Sequence, residues 1–82
     1  VKHELKTWPI HFQAVETGRK TFEVRNNDRG FKVGDTLILR EYSPTYEYFT
    51  GARCERTVTH ILAGGQFGIE PGYVVMSLSE VS

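Results

Sequence analysis

The sequence changes its period at Gly18, and that switch limits what the chain can become more than any other feature. Ahead of it, Trp8, Phe12 and Val15 recur at i, i+4 and i+7, the apolar stripe of an amphipathic helix. Pro9 suits the first helical turn, where its missing N–H costs nothing, and Gly18 suits a left-handed cap just past the end. The spacing predicts one helix over residues 9–17, preceded by a short strand at Glu4-Leu5-Lys6-Thr7. After Gly18 the period is two. Phe22 and Val24 alternate with Thr21, Glu23 and Arg25, a strand whose buried face is expected to be the apolar one. Thr36 to Tyr42 has the branched-residue content of a central strand, Ser43-Pro44-Thr45 interrupts it, and Tyr46-Glu47-Tyr48-Phe49 returns as a hairpin. Thr50-Gly51 reads as a second turn, Ala52 to Leu62 as a long strand, and Tyr73 to Leu78 as a last apolar strand after a Pro71-Gly72 turn. The run Ala63 to Gly68 is expected to loop over the barrel mouth. One helix and five or six short strands in 82 residues predict a mainly β, α+β fold: a single-domain, closed or nearly closed β-barrel over residues 1–82. Closure hides the edge strands that a lone small sheet leaves exposed.

Ten Lys and Arg balance ten Asp and Glu, so the domain is not a strongly basic polyanion binder. The balance is uneven, however. Arg19, Lys20, Arg25, Arg29 and Lys32 face only Glu23 and Asp28 within residues 19–32, either a solvated loop and strand face or a local anion site. No run of 18 apolar residues is present, so no membrane partner is expected, and no secretory signal is visible. The chain starts at Val1 and not at Met, which leaves room for a few residues ahead of it. The single cysteine, Cys54, has no internal disulfide partner and points to a reducing cytosol. His3, His11, His60 and Cys54 lack metal-ligand spacing, and Asn26-Asn27-Asp28 lacks the rest of a calcium loop. Gly64-Gly65-Gln66-Phe67-Gly68 is neither a P-loop nor a dinucleotide fingerprint. No metal and no cofactor are expected, and the oligomeric state is left open.

The residues that point to chemistry are Lys20, Glu23 and Arg25. Glu23 and Arg25 share strand parity and so point to one face. Lys20 has the opposite parity and joins them only if it precedes the regular strand, which Gly18 permits. Together they supply two donors and one acceptor. Arg25 suits a phosphate or a base edge, and Glu23 suits an amine or hydroxyl. The bland alternative is an exposed ion pair contributing about 0.2–1 kcal/mol and nothing more. Trp8, Tyr42, Tyr46, Tyr48 and Phe49 offer stacking surfaces, although the helix stripe assigns Trp8 to the core. At least one aromatic of the Tyr46–Phe49 group is expected to be exposed.

Pro9, the helix with Phe12 and Val15, the string Gly18-Arg19-Lys20-Thr21-Phe22-Glu23-Val24-Arg25 and then Val33-Gly34-Asp35 closely resemble the ASCH family. Its signature is G-x-K-x-x-E-x-R after the first helix and G-D before the next strand. His3-Glu4-Leu5-Lys6, Asn27-Asp28-Arg29 and Tyr73-Val74-Val75 look most like a small bacterial and phage-associated branch. The resemblance covers nearly the whole chain. It implies the PUA-like β-barrel fold and an RNA- or nucleotide-binding role related to that of the activating signal cointegrators. Gly18, Lys20, Glu23 and Arg25 are then the expected ligand site. The family also includes hydrolases that deacetylate N4-acetylcytidine. There a lysine matching Lys20 activates a threonine at the position that Glu23 occupies here, and a carboxylate cannot replace that nucleophile. Three readings follow in order: a nucleic-acid-binding module of transcription or translation control, an amidohydrolase on a modified nucleoside, and a protein-interaction module.

Overall fold

The computed structural model describes residues 1–80. Six elements follow in the order β1 (Lys2–Thr7), α1 (Pro9–Glu16), β2 (Phe22–Asn26), β3 (Thr36–Ser43), β4 (Tyr48–Ala63) and β5 (Tyr73–Glu80). They form one five-stranded sheet in the order β1-β3-β4-β5-β2, with β1 parallel to β3 and every other pair antiparallel. The sheet curls into a half-barrel. Its two edge strands, β1 and β2, are joined in sequence by α1, so the helix ties the edges of the curl together.

Inside the curl, Leu5, Leu37, Leu39, Val58, Val74 and Met76 meet Phe12 and Val15 of α1 and Phe31 of the β2–β3 loop. Burial of each such side chain contributes about 1.5–3 kcal/mol, which is how an eight-residue helix holds its place. Trp8 is not part of this core. It is the N-cap, with extended backbone (φ −65°, ψ 150°), and is 54% exposed. A residue before proline is pushed out of the helical region, so the i, i+4 geometry that pairs Phe12 with its neighbours does not reach back to it. The helix ends where expected: the Thr17 hydroxyl donates to Gln13 O (2.7 Å), and Gly18, at φ 81°, donates to Val15 O (3.0 Å).

β4 is longer than its sequence suggests. Thr50-Gly51 does not turn the chain; it lies within the strand, where the register slips between the pairs Arg40–Arg53 and Tyr42–Phe49. Gly51 takes φ 94° there. A second slip, between Val58–Leu78 and His60–Ser77, makes Thr59 an extra residue, leaving Val58 inside and Ile61 against the core margin. Bulges bend and twist a strand, so these two let one 16-residue strand follow the curl. The Tyr46, Tyr48 and Phe49 side chains are all exposed. The Ala63–Gly68 run folds on itself through Gly65 N–H to Ile69 O (2.7 Å), and none of its residues lines either cleft described below.

β2 inverts the expected pattern. Phe22 and Val24 are 45% and 46% exposed, whereas Glu23 is 3% exposed and points inward with Arg25. The alternation was legible, but its sense was reversed.

Candidate ligand cleft between two strand edges

Backbone pairing decides what the two edges present. In β2, Thr21 O accepts from Leu78 N–H (2.9 Å) and Asn27 N–H donates to Gly72 O (2.8 Å), so odd-numbered residues bond to β5. Antiparallel alternation then turns the N–H and C=O of Phe22 and Val24 away from the sheet. On β1, Thr36 N–H donates to Val1 O (3.0 Å), and the same alternation turns the carbonyls of Glu4 and Lys6 away from β3. Those two carbonyls are met by guanidinium groups. Arg29 Nη1 donates to Glu4 O and Arg25 Nη2 to Lys6 O, each at 2.9 Å. Two arginine side chains therefore bridge the gap that a sixth strand would fill.

Arg25 separates the gap into two clefts. The larger, of about 530 Å³, has Trp8 and Phe22 as aromatic walls, Thr7 and Glu23 at its base, and Lys6, His11, Lys20 and Arg25 around them. The smaller, of about 270 Å³, lies toward Asp28, Arg29, Phe31 and Tyr73. Of the expected site residues, Lys20, Glu23 and Arg25 converge on the larger cleft. Gly18 does not line it; its left-handed turn sets the path by which Lys20, ahead of the regular strand, reaches Glu23.

The Glu23 carboxylate accepts from Arg25 Nε at 2.7 Å through Oε2. Lys20 Nζ lies 3.6 Å from Oε1, close enough to ion-pair but too far for a hydrogen bond. Oε1 is buried and has no hydrogen-bond partner among the described residues. Such an oxygen costs about 1–3 kcal/mol, a cost the folded chain carries at this point of the cleft. Around it stand the Lys20 ammonium, whose Nζ also lies 5.3 Å from the Phe22 centroid, and a half-exposed indole. The cleft can thus accept one N–H or O–H donor at its base, stack a flat ring and hold an anion. The Thr7 hydroxyl is occupied: it donates to Leu5 O (3.2 Å) and lies 3.5 Å from Arg25 Nη2. Sequence reasoning missed Thr7 and Phe22; it offered Trp8 as a stacking surface but assigned it to the core, and the signal against the core was Pro9 after it.

Of the five cations in residues 19–32, Arg25 and Arg29 serve the edge carbonyls and Lys20 serves Glu23, so the charge cluster is chiefly internal. Elsewhere, His3 Nε2 donates to Asp35 Oδ2 at 2.8 Å, which holds the Asp35 carboxyl below its ordinary 3.8, aided by the Lys32 N–H. Gly34-Asp35 is thus a fastening between β1 and the start of β3 and is not part of the cleft. Burial pushes the Cys54 thiol up, keeping it protonated and poorly nucleophilic. Among the described residues no group of three His, Cys, Asp or Glu is placed to hold a metal ion, and no helix is long and apolar enough to cross a membrane.

Residues 2–78 match the family model described as a domain of unknown function, DUF3850. Over 59 residues the chain is 39% identical to the "Uncharacterized 12.9 kDa protein in GpA 3'region" of Escherichia phage P2, a match covering 72% of this chain. It spans 52% of the phage protein, about half its length. With the family model matched along almost its entire length, the chain belongs to the DUF3850 family.

Proposed function

We propose that the Glu23 cleft binds a nucleotide-like ligand, with the chain acting as a small RNA-binding module of transcription or translation control in the cytoplasm. The observation that carries this reading is the buried Oε1 of Glu23, which receives no hydrogen bond from the described residues, at the base of a cleft walled by Trp8 and Phe22. A nucleobase meets each requirement of such a site. Its ring stacks on the indole or phenyl face, its amino or imino N–H completes Glu23, and its phosphate lies near Lys6, Lys20 or Arg25. The resemblance to ASCH domains supports the same reading, and the lone thiol suits a reducing compartment.

Trp8 is the only tryptophan, so its fluorescence reports directly on the cleft. Titration with the four nucleoside monophosphates is expected to give saturable quenching with at least one of them, weakened at least tenfold in Glu23→Gln. The amide keeps the shape, but with its oxygen accepting from Arg25 it turns a donor where the ligand needs an acceptor. No saturable change with any nucleotide, or equal affinity in the variant, overturns the reading. The same protein is incubated with N4-acetylcytidine and followed by chromatography, where no turnover above background is expected. Turnover abolished by Lys20→Ala would replace the binding reading with the amidohydrolase one.

A further inference from the structure

The outer face of the half-barrel carries an ordered set of side chains beside the cleft. Lys6, Arg40 and Arg53 are direct cross-strand neighbours on β1, β3 and β4, and form one row of cations. At about 4.8 Å per strand the row spans ~10 Å. One register step further, Tyr42 and Phe49 are paired, ring centroids 4.9 Å apart and edge to face. Cations and rings are interlocked: Lys6 Nζ lies 4.2 Å from the Tyr42 centroid and Arg40 Cζ 4.2 Å from that of Phe49. On the other side of the row stand the acids Glu4 and Glu55, flanking Ile38, with Glu4 Oε1 3.6 Å from Arg40 Nη1 in an exposed ion pair that a phosphate can displace. The face is therefore graded, acidic then basic then aromatic. It is continuous with the cleft, because Lys6 belongs to both.

We propose that this face is the track of a single-stranded RNA whose leading base occupies the cleft. The inference rests on the nucleotide reading above and extends it from a single nucleotide to a chain. A strand leaving the cleft past Lys6 meets Arg40 and then Arg53 with its phosphates. The acids on one side turn its bases toward Tyr42 and Phe49 on the other. Alternating phosphate and base contacts require both features in adjacent rows, and a mononucleotide or a purely anionic partner has no use for the aromatic row. A duplex keeps its bases inside and cannot use it either.

The test compares a nucleoside monophosphate that fills the cleft with a single-stranded RNA hexamer ending in the same nucleotide, using the full chain and Trp8 fluorescence. Phe49→Ala and Arg53→Ala alter exposed side chains outside the cleft, so each variant is expected to fold and to bind the monophosphate as the wild type does. For the hexamer, Phe49→Ala is expected to lose about 10- to 100-fold in affinity, one base's stacking. Arg53→Ala is expected to lower the salt slope of log affinity by about 0.7, one phosphate contact. A polyglutamate of equal charge and an RNA duplex are expected not to compete. The track is refuted if the hexamer binds no better than the monophosphate, if both variants leave its affinity unchanged, or if polyglutamate or duplex displaces it equally well. Failure of the monophosphate itself to bind would instead refute the cleft reading, and the two failures are distinct.

Discussion

Glu23 and Asp35 are both buried acids with a basic neighbour, and their partners divide their roles. Asp35 takes the His3 ring and the Lys32 N–H on the same oxygen, Oδ2, its main chain bonds to Lys32 and Val58, and its other oxygen is not among the buried atoms left without a partner. Glu23 is satisfied on one oxygen only. A carboxylate completed by the protein fastens the fold, and one left incomplete beside an open cleft is available to a ligand. The Asp35 arrangement sets a pH dependence. Its carboxyl is held below 3.8 by the His3 hydrogen bond, so the stabilisation is fully present above the unfolded value and is lost as pH falls through the depressed one. Asp35→Asn is accordingly expected to lower the urea midpoint at about pH 5, with the gap to wild type closing as pH drops below about 4. A gap independent of pH down to 2.5 would contradict the assignment.

At the scale of elements, the β4–β5 hairpin shows how closely the chain is packed outside the core. Gly64 N–H donates to Tyr73 O at 2.7 Å, and a Cβ at this position would strike the carbonyl oxygen of Glu70 and lie 2.8 Å from that of Tyr73. Both obstacles are backbone. Gly64→Ala is therefore expected to destabilise the fold by about 1–3 kcal/mol, read as a lowered denaturation midpoint, with nucleotide binding by the folded variant kept, since Gly64 does not line the larger cleft. The elements were legible in the sequence wherever a local rule acts alone. Pro9 and Gly18 bracket the helix to within one residue, and alternation locates β2, β3 and β5. What was not legible depends on tertiary partners. Alternation in β2 has two solutions, and the usual one, apolar residues inside, loses because Arg25 must face the β1 carbonyl of Lys6 and carries Glu23 inward with it. Thr50-Gly51 has the composition of a turn and becomes a bulge because β3 continues to pair across it. Trp8 has helical spacing but lies one residue outside the helix.

For the whole molecule, the consequence of the topology is that β1 and β2, at opposite ends of the sheet order, become the two sides of one gap. Backbone ladders close the other four strand–strand seams; here Arg25 and Arg29 do so with side chains, leaving room on either side. Lys20, Glu23 and Arg25 could be named from the sequence because they sit close together on it, whereas Thr7 and Trp8 enter the cleft from β1 and the helix start. The central claim is that this gap is where a ligand binds. The most direct test is a two-dimensional amide NMR titration of the ¹⁵N-labelled chain with the nucleoside monophosphate that quenches Trp8 most strongly. Shifts are expected at Lys6–His11, including the Trp8 indole N–H, and at Lys20–Arg25, while Gly64–Gly68 stays unmoved. Saturable shifts centred on another surface, or none at millimolar nucleotide, would contradict the account.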